Sequence, residues 1–277
     1  MTINCKGDLL DITDPKIMGV LNCTPDSFYD GGKYKNETEI INQVQKMLVD
    51  GATFIDIGAY SSRPGALQVS EEEELKRIIP IVALVLKEFP ECKISIDTFR
   101  STVAEACIQE GAALINDISA GNLDLDMMTV VAKHQVPYIM MHMKGTPQDM
   151  QQNTNYTNLL TDILHYFSEK ITAAHKKKIN DLIIDPGFGF SKTIAQNYEL
   201  MQKLELLKIT KKPILVGISR KSMIYKVLKT DAKNALNGTT SLNTIALLKG
   251  ANILRVHDVK EASECIAIVQ QLKYINT

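Results

Sequence analysis

Eight short apolar runs recur along the chain, each followed by a polar turn and a stretch of helical period, and none alternates apolar with polar residues. They are Lys16 to Asn22, Thr53 to Ala59, Lys93 to Thr98, Leu114 to Ser119, Pro137 to Met143, Asp181 to Asp185, Pro213 to Ser219 and Asn252 to Asp258. Unbroken apolarity suits strands covered on both faces, and such strands are parallel. The clearest helix between them is "SEEEELKRIIPIVALVLKEF". There Ser70 and Glu73 are spaced as a capping box, and Ile78, Ile79, Val82, Val85 and Leu86 share one stripe. Pro80 is expected to distort that helix or shift its start. Further helices are expected over Glu39 to Val49, Thr102 to Gln109, Tyr156 to Lys176, Ile194 to Leu207, Ala235 to Leu248 and Lys260 to Leu272. Gly51, Gly111 and Gly250 stand as C-terminal stops.

No Pro/Gly/Ser linker or low-complexity stretch divides the 277 residues. A barrel of eight βα units needs about 250 residues. The chain therefore reads as one α/β domain over residues 1–277, a single (β/α)8 TIM barrel, with an open sheet of nine elements as the alternative.

Composition excludes several classes of function. Hydrophobic residues make up 45% and charged residues 23%, and the formal net charge is -1, so no nucleic-acid partner is indicated. The N-terminal "MTINCKGDLLDITD" lacks a signal-peptide core, and no apolar run approaches the roughly 18 residues of a membrane span. A cytoplasmic protein without a membrane partner is expected. The five cysteines are scattered, odd in number and never spaced CxxC, which argues against a disulfide framework and a zinc site.

In a barrel of this kind the C-terminal ends of the strands converge on one mouth, where the active site lies. Those ends are polar almost throughout: Asn22, the "SSRPG" stretch, Asp97, Asn116-Asp117, His142, Asp185, the "SRKS" stretch from Ser219 to Ser222, and Arg255 with His257. Arg255 and His257 are two apart and share a face, and an arginine in a barrel mouth requires an anion. Asp97, Asn116 and Asp185 suit the N–H groups of a flat heterocycle. Asn22, Arg63, Arg255, His257 and Lys221 could surround a phosphate-like anion. A substrate with a polar heterocycle at one end and a phosphate at the other follows.

The run "DLIIDPGFGFSKT" resembles a glycine-rich phosphate loop only superficially. A dinucleotide fingerprint would place a third glycine where Lys192 stands, and no GxxxxGK[ST] occurs. No Ser-His-Asp order or HExxH is present either, so acyl transfer and zinc hydrolysis fall away. Plainer readings stand beside these. Asp97 or Asn116 could be a helix N-cap, "FGF" a turn packed by its aromatics, and Arg63 part of a surface turn. His142 reads as a structural residue near the pocket wall, and His134, His165 and His175 as solvated or packed helix residues.

Eight blocks together resemble the dihydropteroate synthase family in its order: "MGVLNCTPDSFYDGG", "SSRPGA", "ISIDTFR", "INDIS", "MHMKGTP", "LIIDPGFGFSK", "VGISRKSMI" and "LRVHDVKE". The resemblance covers nearly the whole chain. It implies condensation of 6-hydroxymethyl-7,8-dihydropterin diphosphate with p-aminobenzoate, giving 7,8-dihydropteroate and pyrophosphate. By position it implies a pterin pocket of Asp97, Asn116, Asp185 and Lys221, walled by Met140 or a neighbour and Phe190, with Gly189 beside the ring. It implies a diphosphate site of Asn22, Ser62, Arg63, Arg255 and His257, with Mg2+ bridging phosphate oxygens and Asn22. Phe28, Arg63, Pro64, Lys221 and Ser222 would shape the p-aminobenzoate side after two loops fold over the mouth. Of these, Lys221, Arg63, Arg255 and His257 are the expected catalytic set. A homodimer through the outer helices and inhibition by sulfonamides are implied as well.

The chain departs from the family pattern Gly-Glu-Ser-Thr-Arg-Pro-Gly at Ala59-Tyr60-Ser61-Ser62-Arg63-Pro64-Gly65. Two other readings compete at this stage. A related pterin-binding barrel that transfers a methyl group from methyltetrahydrofolate to a corrinoid protein would have no use for the Arg63, Arg255 and Lys221 cations. The other is a barrel that binds pterin without turning it over, as a partner of another folate enzyme, and the intact strand-end residues speak against it.

Overall fold

The computed structural model describes residues 1–23, 33–60 and 69–274. A small antiparallel hairpin comes first, β1 (Thr2–Cys5) and β2 (Asp8–Asp11), turning at Lys6 and Gly7, both with positive φ. The barrel strands follow: β3 (Lys16–Asn22), β4 (Phe54–Gly58), β5 (Lys93–Asp97), β6 (Leu114–Asp117), β7 (Tyr138–Met141), β8 (Leu182–Asp185), β9 (Leu215–Val216) and β10 (Ile253–Val256). All pair in parallel, in the order β8-β7-β6-β5-β4-β3-β10-β9. A parallel bridge between Ile184 and Ile214 joins β8 to the segment entering β9, so the ring nearly closes. The open-sheet alternative is overturned.

The helices between strands are α1 (Lys33–Val49), α2 (Glu71–Glu88), α3 (Ser101–Glu110), α4 (Met127–His134), α5 (Leu159–Lys176), α6 (Ile194–Gln202), α7 (Ser222–Tyr225), α8 (Leu236–Leu248) and α9 (Val259–Tyr274). Helix α4 was expected only as a helical stretch holding His134, without bounds, because its two turns are too short for the 3.6-residue period to stand out. The expected helix from Ile194 to Leu207 divides, α6 being followed by a 3-10 helix over Leu204–Thr210. In α2 only half of the capping box forms. Ser70 Oγ accepts from Glu73 N at 3.2 Å, while the Glu73 carboxylate turns to Arg77 Nε at 2.7 Å. Pro80 sits inside α2 on its exposed face, and the helix runs through it.

Strand alternation divides the interior into two layers. One set of strand residues packs outward against the helices, including Ile17, Leu21, Ile55, Ile57, Ile115 and Ile184. The other set points to the barrel axis. At the N-terminal end that inner set is apolar, with Met18, Phe54, Leu114, Ile139, Ile183, Leu215 and Ile253 gathered against Ile3, Cys5 and Ile12 of the hairpin region. The hairpin therefore plugs the bottom of the barrel, held by Asn4 N on Asp181 Oδ2 at 3.0 Å and by Asn252 Nδ2 on Ile12 O at 3.1 Å. Above this plug the same inner positions become polar, which puts the chemistry at the other end.

Candidate active site

Two residues beyond the apolar layer, the inward positions are Asp56 of β4, Asp97 of β5, Asn116 of β6, Asp185 of β8 and Arg255 of β10. Asp56, Asp97, Asn116 and Arg255 form one network. Arg255 Nε donates to Asp56 Oδ2 at 2.6 Å, and Arg255 Nη2 donates to Asp97 Oδ2 at 2.6 Å. Asn116 Nδ2 donates to the same Asp56 oxygen at 3.1 Å. The other oxygen of Asp56 is buried with no hydrogen-bond partner among the described residues. The anion that the sequence required for Arg255 is thus supplied within the barrel by two carboxylates.

The segment after β8 makes one wall. Asp185 Oδ1 accepts from Gly187 N at 2.8 Å, turning the chain back over the strand end. Gly187 has φ +70°, and a Cβ there would lie 2.1 Å from the carbonyl oxygen of His142, so only glycine fits. Gly189, at φ +81°, lets Lys221 pass close beside the backbone. Lys221 Nζ donates to Phe188 O at 2.6 Å and lies 4.7 Å from the centre of the Phe190 ring. Phe188 itself is buried in the core, while Phe190 packs toward the mouth with Met141, Met143 and Ile118. Only the first of these aromatics is fully buried.

Burial dominates the electrostatics. It pushes the Asp97 carboxyl up to about 7, against the pull of Arg255 and with help from Asp56. Burial also raises Asp185, opposed by Lys221, the Gly187 N–H and Arg255. Lys221 is brought down to about 8 by burial, with Asp185 opposing. Arg255 loses solvation, yet Asp56 and Asp97 hold it charged and above its ordinary range. The site is therefore a half-buried set of opposed charges around the buried Asp185, whose protonation a ligand can shift.

The sequence-predicted residues divide as follows. Asp97, Asn116, Asp185, Gly189, Phe190, Lys221 and Arg255 come together at the mouth. Asp97 is no N-cap, since that place before α3 falls to Arg100. His257 lies beside Ser219, with Nδ1 3.0 Å from its Oγ, and Ser222 opens α7. Asn22 ends β3 opposite Gly58. Phe28, Ser62, Arg63 and Pro64 lie outside the described residues.

Met140 is a correction. It packs in the outer cluster against the helices, and Met141, one residue on, joins Phe190 on the mouth side. A slip of one residue reverses the face in a strand. The same alternation splits Asn116 from Asp117, whose carboxylate turns outward to Ser119, Gly121 and Tyr138. Two residues were missed. Asp56 stands inside an apolar strand, and a charged residue at an inward position of "FIDIG" was the available signal. Lys192 was noticed only as a glycine that was not there.

The departure at Tyr60 has a described setting. Its ring meets Phe99 edge-on with centres 5.1 Å apart, and its hydroxyl accepts from Gln148 Nε2 at 2.9 Å.

No group of three or more His, Cys, Asp or Glu among the described residues could hold a metal ion. Asn22 offers one neutral amide oxygen. That suits an ion such as Mg2+, which keeps several waters and binds mainly through substrate phosphates. The donor set fits an ion that enters with a diphosphate.

A sequence profile of the pterin binding enzyme family matches residues 18–257. The dihydropteroate synthase of Escherichia coli K12 is 39% identical over 272 residues, covering 98% of this chain and 96% of that one. That of Clostridium beijerinckii is 44% identical over 250 residues, 89% of this chain and 90% of its own. Among solved structures, the Yersinia pestis dihydropteroate synthase in a sulfonamide drug complex superposes with a TM-score of 0.92 at 41% identity, covering 99% of this chain and 100% of that one. The Xanthomonas albilineans dihydropteroate synthase with 4-aminobenzoic acid gives 0.91 at 33% identity, covering 98% of each chain. With a polar mouth on a parallel barrel, the chain is a pterin-binding (β/α)8 transferase. It belongs to the dihydropteroate synthase family, whose reaction joins 6-hydroxymethyl-7,8-dihydropterin diphosphate to p-aminobenzoate.

Proposed function

We propose that this chain catalyses that condensation with Asp97, Asn116 and Asp185 hydrogen-bonding the dihydropterin, and with Lys221, Arg255 and His257 serving its diphosphate. The observation that carries the reading is the single network in which Arg255 links Asp56 and Asp97 beside Asn116. Acceptors suited to a heterocycle stand beside a cation suited to an anion there, which supports the reading. Asp185 accepts paired hydrogen bonds from the amino-pyrimidine edge, and Phe190, Gly189 and Met141 cover the ring. Asn22, Ser62 and Arg63 complete the diphosphate side. Phe28, Arg63, Pro64, Lys221 and Ser222 receive p-aminobenzoate.

In the reaction the bond from the pterin methylene carbon to diphosphate oxygen breaks, and its electron pair leaves with pyrophosphate. The electron-rich dihydropterin spreads the positive charge developing on that carbon. Arg255 and Lys221 stabilise the departing anion, and the pocket holds the arylamine in line. The aniline lone pair attacks, and the nitrogen then releases its proton to water. No strong base is required. When bound, Mg2+ at Asn22 would neutralise phosphate charge.

Sulfonamides, as mimics of p-aminobenzoate, compete at the same subsite. Exposed Ile245 and Leu248 on α8 beside Ile268 on the adjoining α9 support a homodimer through these helices. No described helix is long and apolar enough to cross a membrane, consistent with cytoplasmic action.

The assignment is tested with Asp185→Asn. It should weaken binding of 6-hydroxymethyl-7,8-dihydropterin by at least about tenfold, the scale of a hydrogen bond to a charged group, and leave pyrophosphate binding unchanged. Loss of both, or of neither, would contradict it.

A further inference from the structure

Lys192 is a buried cation with no part in the chemistry above: it is 3% exposed and lies behind the turn that carries Gly187 and Phe190. Its ammonium has three donors, and each has an acceptor: Gly187 O at 3.0 Å, Phe190 O at 3.0 Å and His142 Nδ1 at 3.1 Å. Two of those acceptors belong to the turn after Asp185 and the third to the segment after β7. The side chain therefore ties together two neighbouring strand ends. The acceptor nitrogen of His142 is dependable, because burial, with Lys192 and Lys144 adding to it, holds that imidazole neutral with its pKa down at about 2. His142 is in turn fixed by the Tyr166 ring, edge-on with centres 4.8 Å apart.

A fully buried ammonium is costly unless an anion is near it. The anion on hand is Asp185. The groups that act on Lys192 are Asp185 at the end of β8, His142 and Lys144 after β7, and Lys221 before α7. Of these only Asp185 is a carboxylate, and Lys192 in turn helps to hold Asp185 down against burial.

We propose that Lys192 is a positioning residue for dihydropterin recognition, shaping the turn from Gly187 to Phe190 through its three acceptors and keeping positive charge behind the Asp185 carboxylate. This rests on the reading of Asp185 as the pterin's acceptor. Burial lowers Lys192 to about 7, so its charge is complete on the acid side of that value, while burial raises Asp185 and Lys192 is among the groups that oppose the rise. Removing that charge leaves Asp185 easier to protonate. The acid limb of pterin binding then moves to higher pH, an effect that a purely packing role would not produce.

The test is calorimetric binding of 6-hydroxymethyl-7,8-dihydropterin to the full chain between pH 5 and 8, for the native protein, Lys192→Gln, Lys192→Arg and Asp185→Asn. Lys192→Gln keeps a donor without the charge and should move the acid limb up by about one pH unit, weakening binding roughly tenfold on that limb. Lys192→Arg keeps the charge and should leave the limb in place. A limb unmoved in Lys192→Gln, or moved equally in both variants, overturns the proposal. Native-like pterin binding by Asp185→Asn would instead remove the reading of Asp185 and the proposal with it. Should Lys192→Gln not fold, a carboxyl carbon NMR titration of the native chain decides. Asp185 titrating below Lys192 supports the proposal, and Asp185 titrating above it overturns it.

Discussion

Arg255 donates Nη2 to Asp97 Oδ2 at 2.6 Å, joining the last strand of the barrel to the third. The guanidinium thus balances two carboxylates, and under the proposed function it also serves the diphosphate, so a substitution there has two consequences. Arg255→Met leaves Asp56 buried and unpaired, at a cost of about 3–5 kcal/mol. It should also weaken binding of the dihydropterin diphosphate more than binding of the pterin alcohol. Denaturant unfolding and calorimetry with both ligands check this. Equal losses for the two ligands would contradict the anion-site assignment.

Lys221 carries the opposite balance. Its folded pKa is about 8, below the ordinary lysine value, because burial disfavours the charge. The folded state therefore binds the proton less tightly than the unfolded state. The resulting stability burden is full below pH 8 and disappears as pH rises past the unfolded pKa. Lys221→Met should raise Tm at pH 7 by about 2–4 °C, the scale of 1 kcal/mol, with the gain gone above about pH 10.4. Activity should fall by about 10²–10³. A lower Tm together with retained turnover would contradict both parts.

The same lysine predicts the alkaline limb of kcat/KM. That quantity reports the free enzyme, so turnover should decline as pH rises through about 8, where Lys221 loses its proton. Lys221→Arg, if active, should carry that limb upward by more than about one pH unit, since arginine stays charged. An unchanged limb in Lys221→Arg would assign it to another group.

Gly187→Ala tests the turn. The added Cβ would meet the His142 carbonyl at 2.1 Å from a backbone at φ +70°. The strained backbone alone costs about 1–3 kcal/mol, and the clash adds to it. A clear drop in Tm is expected, with pterin affinity falling as Asp185 loses the Gly187 N–H. Native Tm would show that the turn relaxes freely.

Sulfonamides should inhibit in competition with p-aminobenzoate, although Tyr60 and Ser62 replace the family's glutamate and threonine. Steady-state kinetics against p-aminobenzoate concentration checks this. Inhibition constants above the millimolar range, with ordinary p-aminobenzoate affinity, would contradict it.

Much of this site is legible in the sequence because parallel strands in a barrel deliver their last residues to one mouth. Asp97, Asn116, Asp185 and Arg255 could be found by asking only where each apolar run stops. Asp56 could not, since it lies two residues before its strand ends, inside the apolar run, where polarity looks like an interruption of the core. Met140 and Met141 differ only in which face the strand presents, and adjacent methionines give no hint of that phase. The hairpin escaped notice because its two strands have four residues each, and the second, DLLD, does not alternate. Lys192 was hidden for a different reason. Its role depends on Gly187 O, Phe190 O and His142 converging in space, and a lysine after a turn ordinarily points to solvent.

The most direct test of the central claim is pyrophosphate release from 6-hydroxymethyl-7,8-dihydropterin diphosphate, with Mg2+, measured with and without p-aminobenzoate. Release that depends on p-aminobenzoate and forms 7,8-dihydropteroate in equal amount is the predicted result. Tight pterin binding without pyrophosphate release would contradict it, and would leave a barrel that holds the heterocycle without joining it to the arylamine.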